Sequence, residues 1–172
     1  MITLSPIHLG ITHGILTIHS APKSLCSHID WSLAEVLGVP IKNDWKLQPL
    51  LSGTFQCSLN WQAKNGTAAR MATSLAGWNY LRFEIRQDAA LGSDGDYFRF
   101  TPNLKLHRAT IGPSGDVMIN ENQITAAISK LDSEELAEKL ENILGTCWDR
   151  ELEPFRIAMG EGSEELIDRI SV

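Results

Sequence analysis

With 172 residues, 43% of them hydrophobic and 21% charged, the chain is long enough for one well-buried core, and a single domain over 1–172 is expected. A net charge of -6 opposes neutralisation of nucleic-acid phosphates. The opening MITLSPIHLGITHG has no basic region ahead of an apolar run, and no stretch reaches the roughly 18 apolar residues of a membrane span, so neither nucleic acid nor membrane is an expected partner.

The first strand is HGILTIHS, with Leu16 and Ile18 on one face and Ile15, Thr17 and His19 on the other. Cys26, Ile29, Leu33, Val36 and Leu37 recur at three- and four-residue steps and predict a helix ending at Gly38. IKNDWKLQ alternates as a second strand, Ile41, Trp45 and Leu47 against Lys42, Asp44, Lys46 and Gln48. In TFQCSLNWQ the alternation is clearest: Phe55, Cys57, Leu59 and Trp61 share one face. NGTAARMATSLAGW predicts a second helix closed at Gly77, and YLRFEIRQ a fourth strand with Leu81, Phe83 and Ile85 inward and Arg82, Glu84 and Arg86 outward.

The order β-α-β-β-α-β over 11–87 predicts an α+β fold with a ferredoxin-like core, two helices covering one side of an antiparallel sheet. The opposite side then carries His13, Thr17, His19, Gln56, Ser58, Asn60, Arg82 and Arg86, either open or partly covered by 88–172. Beyond Gln87, YFRFTPNLKLHRATIG reads as a β-hairpin turning at Pro102-Asn103, followed by a brief strand, VMI. Asn120 with Gln123, and Asp132 with Glu135, have capping-box spacing and open two helices. The first carries Ile124, Ala127, Ile128 and Leu131. The second, expected over 133–151, carries a stripe of Leu136, Leu140, Ile143, Leu144, Cys147 and Trp148 that should be buried within the chain. Ser163 would cap a last helix in GEGSEELIDRISV.

HSAPKSLCSH brings two histidines and a cysteine within ten positions. Pro22 suits a first helical turn with Ser20 capping it, and Cys26 falls on the buried stripe. His28 lies about 200° round the helix from Cys26 at ~100° per residue, so the two cannot face one ion. The stretch reads as a strand-to-helix junction. SDGD lacks the further ligands of a calcium loop. In WDRELEPF, Asp149, Glu151 and Glu153 oppose the helix dipole unless Arg150, Arg156 or a partner offsets them. G-x-S-x-G, P-loop, H-E-x-x-H and dinucleotide patterns are missing, so no cofactor and no metal is expected. Cys26, Cys57 and Cys147, odd in number and without C-x-x-C spacing, read as reduced thiols of a cytoplasmic protein.

GILTIHSAPKSLCSHIDWSLAEVLG, GTFQCSLNW, GWNYLRFEI, GSDGDYFRFTPNL, GDVMINE and WDRELEPFR together resemble the actinobacterial family catalogued as domain of unknown function 3145, from about Gly14 to Arg156. The resemblance implies a cytoplasmic bacterial protein and supplies no catalytic residue. Its genes lie near those of type II fatty-acid synthesis in some relatives, which suggests a protein partner there. The expected function is therefore non-catalytic binding or regulation, with Arg82, Arg86, Trp148 and Arg156 as candidate binding residues. The rival is a small enzyme using carboxylates and histidine in the loops 92–96 and 112–121: His19, His107, Asp94, Asp96, Asp116 and Glu121. Two of those carboxylates converging on a histidine in one pocket would favour it.

Overall fold

The structure, a computed structural model, describes residues 10–130 and 132–161; Leu131 and the helix expected beyond Gly160 lie outside them. The architecture is α+β. Seven strands form one antiparallel sheet in the order β2-β3-β1-β4-β5-β6-β7: β1 (Ile11–Pro22), β2 (Lys46–Leu47), β3 (Thr54–Lys64), β4 (Arg82–Gln87), β5 (Gly95–Thr101), β6 (Lys105–Ile111) and β7 (Val117–Met118). Helices α1 (Lys23–Leu37) and α2 (Thr67–Ala76) lie between strands in the sequence, and α3 (Glu121–Lys130), α4 (Ser133–Leu144) and α5 (Thr146–Glu161) follow the sheet.

Alternation along the central strands gives the sheet one apolar face. Leu16, Ile18, Phe83, Ile85, Phe98 and Phe100 bury there with Cys26, Ile29 and Leu33 of α1 and Ala68, Met71, Ala72 and Leu75 of α2. Phe83 and Phe100 stack at 5.1 Å across the β4–β5 pair. Gly14 is required where the Trp61 indole crosses β1, since a Cβ there would sit 2.2 Å from the ring. The apolar core thus continues through β5, well past Gln87.

Three local expectations are corrected. The strand over 41–48 contracts to Lys46–Leu47, because Asn43 and Trp45 donate instead to Asp30 on α1, at 2.6 and 3.1 Å, while buried Gln48 bonds the His19 carbonyl at 2.7 Å. Ser20 does not cap α1. It stays in β1, where its hydroxyl accepts from Arg82 at 3.3 Å, and Pro22 takes the cap position rather than the first turn. The long helix over 133–151 is two helices. Gly145 adopts φ 78°, returns its N–H to Glu141 and Asn142, and ends α4; a Cβ there would also strike the Arg99 guanidinium at 2.3 Å.

With that break the expected buried stripe changes character. No α4 residue is buried, Leu144 is exposed, and the apolar anchor is Leu152 on α5, fully inaccessible to solvent. Both capping boxes are present at Asn120–Gln123 and Asp132–Glu135. Helix α5 packs on β1 and β5, on the sheet face opposite α1 and α2.

Candidate functional site

Strand register alone aligns one row of polar side chains across this second face: Ser58, Thr17, Glu84, Arg99 and His107 are successive partners on β3, β1, β4, β5 and β6. Ile15, Arg86, Tyr97 and Ala109 form the adjoining row. Side chains separated widely in sequence become neighbours because the pleat has period two.

Glu84 is the centre. Its Oε2 accepts from His19 Nε2 at 2.6 Å and Arg156 Nε at 3.0 Å, and its Oε1 from the Tyr97 hydroxyl and Arg156 Nη2. Burial alone would raise its pKa, but the hydrogen bonds from His19 and Arg156 outweigh burial and hold the carboxyl far below the usual range. Burial and the adjacent Glu84 charge push the Tyr97 phenol up. Arg156 is raised despite its burial, because Glu84 and Asp149 both accept from it.

Asp149 joins this centre to a second one. Its Oδ1 accepts from Arg156 Nη2 at 2.8 Å and its Oδ2 from Arg99 Nη1 at 2.7 Å. Arg99, only 1% exposed, also donates to the Leu144 carbonyl at 2.7 Å and lies 4.5 Å from the Tyr97 ring centroid. His107 Nδ1 accepts from Arg99 Nη2 at 3.2 Å, so Nε2 carries the proton given to the Asn142 and Ile143 carbonyls, at 2.9 and 3.1 Å. Burial first, then the Arg99 charge, lowers the His107 pKa and keeps the ring neutral. Arg99 and His107 thereby satisfy carbonyls at the C-terminal end of α4, where cationic donors are favoured.

Chemically, this arrangement is a clamp. Four donor contacts occupy both oxygens of Glu84, and an already ionised carboxylate with no open acceptor is a poor proton acceptor. A half-open pocket of about 340 Å³ adjoins it, lined by Ile15, Thr17, Glu84, Arg86, Tyr97 and Arg156. Its two arginines are engaged as well: Arg156 as above, and Arg86 with the Gly115 carbonyl at 2.9 Å and the Tyr97 ring at 4.7 Å.

The candidate enzyme residues fall in five separate places. His19 is bonded to Glu84, and His107 is held between Arg99 and the end of α4. Asp94 and Asp96 line a different hollow, where Asp96 accepts from Arg108 at 2.9 Å. Asp116 accepts from Ser114 at 2.8 Å, and Glu121 is exposed at the start of α3. Among the described residues, neither histidine bonds any of these four carboxylates, and no three His, Cys, Asp or Glu side chains converge as metal ligands. Of the candidate binding residues, Arg156 belongs to the clamp, Arg86 borders it, Arg82 lies over the Phe155 ring at 5.0 Å, and Trp148 packs on His107 at 4.6 Å.

Glu84, Tyr97 and Arg99 are not among the sequence candidates. Asp149 is expected only as a carboxylate opposing the end of a helix, offset by Arg150, Arg156 or a partner; the structure pairs it with Arg156 at 2.8 Å but in the first turn of α5, where a carboxylate is favoured. One signal was present: Arg82, Glu84 and Arg86 place a carboxylate between two cations on the outward face of one strand.

A family model described as "Protein of unknown function (DUF3145)" matches residues 15–167. The chain belongs to that family. Neither the curated proteins nor the solved structures contain a match to it.

Proposed function

We propose that this member of the family is a non-catalytic binding protein that engages a protein partner through the outer face of α1. The observation that carries this reading is Trp31, a large aromatic that is 76% exposed in the middle of a helix. Aromatic side chains so placed concentrate binding energy at protein interfaces. Two adjoining hollows of about 550 and 240 Å³ share Trp31 and Glu35; Val39 and Pro40 line one, His28 and Trp78 the other. Glu35 on this face and the overall charge of -6 select a partner segment with an apolar anchor flanked by basic side chains.

The clamp supports the same conclusion from the other direction, since its titratable groups are committed to holding the chain together. The succession β1-α1-β2-β3-α2-β4 supports a ferredoxin-like reading of 11–87. The three unpaired cysteines support a reducing, cytoplasmic setting. An actinobacterial source and a partner in fatty-acid synthesis remain part of the proposal, and purified proteins of that synthesis are the first to test.

A photo-crosslinking residue placed at position 31 of the full chain in native cells should capture one dominant partner, and the same residue at exposed Lys42 should not. Trp31→Ala should then weaken binding of that purified partner about 30-fold, the scale of a 2 kcal/mol interface anchor. A partner bound equally well by the Trp31→Ala chain would overturn the proposed surface.

A further inference from the structure

The two edges of the sheet are treated differently. At one edge, β7 pairs with the end of β6, Lys105 and Arg108 supply charge along β6, and the Lys105 carbonyl accepts the Trp148 indole at 2.8 Å. These are ordinary means of blunting an edge strand. At the other edge, β2 pairs only with Phe55 and Gln56. The chain that might have continued β2 is drawn to α1 by the Asn43 and Trp45 bonds to Asp30. Beyond Gln56, β3 runs eight residues to Lys64, and among the described residues no backbone hydrogen bond outside the β1 ladder reaches Cys57–Lys64. That length is about 27 Å at ~3.4 Å per residue. The run from Thr54 to Ala63 contains no charge and no proline, so the usual protection is missing where the edge is longest.

We infer that this edge is an interface between two copies of the chain, joined by antiparallel pairing of β3 with β3 about a two-fold axis at Trp61. Such a ladder is self-complementary by construction. Centred on Trp61, it sets Asn60 of one copy opposite Gln62 of the other, Leu59 opposite Ala63, and Ser58 opposite Lys64. No like charges meet, and the half-buried Leu59 and Ala63 continue the apolar side of the sheet across the axis. Ser58, Asn60 and Gln62 are exposed on the polar side, so they are available to pair without disturbing the fold.

Sedimentation velocity on the full chain over a wide concentration range should show twice the chain mass. Asn60→Lys with Gln62→Lys places lysine opposite lysine twice and should give a folded monomer with an unchanged far-UV spectrum. Asn60→Lys with Gln62→Glu places opposite charges in the same two pairs and should retain the dimer. A monomeric wild-type chain would overturn the inference, as would a lysine pair that leaves the dimer intact. A folded but monomeric lysine–glutamate chain would overturn the Trp61-centred pairing on which it rests.

Discussion

The two faces of this sheet are held by different physics. On one, Leu16, Ile18, Phe83, Ile85, Phe98 and Phe100 meet the apolar stripes of α1 and α2, and buried area supplies the stabilisation at ~25 cal/mol per Å². On the other, Leu152 is the fully buried apolar side chain of α5, and a chain of ionic hydrogen bonds from His19 through Glu84, Arg156, Asp149 and Arg99 to His107 fixes its position. Apolar contact is non-directional and tolerates sliding. The clamp is directional, because each hydrogen bond needs its donor aimed at an acceptor, and charges taken out of water return little net energy unless every partner is present. The first face therefore carries most of the stability and the second sets the register of the C-terminal arm.

The largest test of this contrast is removal of 88–172. If the apolar face ended with β4, a chain stopping at Gln87 would fold. It ends at β5, where Phe98 and Phe100 complete the core and α2 packs on both β4 and β5. The truncated chain should be insoluble or show no cooperative melt. A soluble fragment with a sharp transition would make the two faces separable modules.

The apolar face was legible in the sequence because period two and period 3.6 are local signals. Leu16 with Ile18, and Cys26 with Ile29 and Leu33, needed only their own neighbours to be placed. The polar face was not, because its bonds join residues such as Glu84 and Arg156, 72 positions apart, and only strand register brings them together. The extent of the α4 helix was misread for a related reason. The apolar periodicity continues on both sides of Gly145 and masks its local signal, a glycine whose φ of 78° ends the helix; the contact with the Arg99 guanidinium of a distant strand is beyond any local pattern. Both capping boxes were readable because they are complete within four residues.

Within the clamp, Glu84→Ala leaves the buried His19 and Tyr97 donors without their acceptor, while half-buried Arg156 keeps Asp149, and should cost about 3 kcal/mol, the low end of the range for breaking a buried ion pair. Phe83→Ala on the other face should cost a similar amount through a cavity. The faces separate in a double-mutant cycle. Glu84→Ala with Arg156→Leu should cost at least about 1 kcal/mol less than the sum of the singles, because each single already loses the two bonds that Arg156 gives Glu84. Strict additivity in urea titrations would mean that the clamp is not a coupled unit.

A smaller effect comes from pH. His107 titrates below its ordinary value of 6.5 in the folded chain, while the unfolded chain binds its proton as pH falls through 6.5. The unfolded state then holds more protons, so stability falls on acidification, by at most about 1.4 kcal/mol per pH unit for this one group. Glu84, also depressed, adds a loss of the same sign below its ordinary 4.5. Around His107, Arg99 opposes protonation while Asp149 and the α4 carbonyls favour it, and the first effect prevails together with burial. Unfolding free energies between pH 7.5 and 5.5 should decline more steeply for the wild type than for His107→Gln. Parallel slopes would show that His107 is not held neutral.

The smallest expected effect is at Trp148, and it tests how far the arm depends on single contacts. An uninterrupted stripe through Trp148 would make this ring a core residue whose loss costs several kcal/mol. The break at Gly145 turns it instead to the edge of the sheet, half-buried, with its ring against His107 and its indole N–H on the Lys105 carbonyl. Trp148→Phe keeps an aromatic ring at that position and deletes the hydrogen bond. Net bonds of this kind contribute about 0.5–1.5 kcal/mol, and water can reach this one, so the lower half of that range is expected. Lys105, at φ 64° in the hairpin turn, loses only that tether, because β5 and β6 remain paired from Gly95–Ile111 to Thr101–Lys105. Chemical denaturation that gives a loss above about 3 kcal/mol would show that the arm is anchored at its edge as firmly as the apolar face is at its centre, and that the clamp is not what fixes α5.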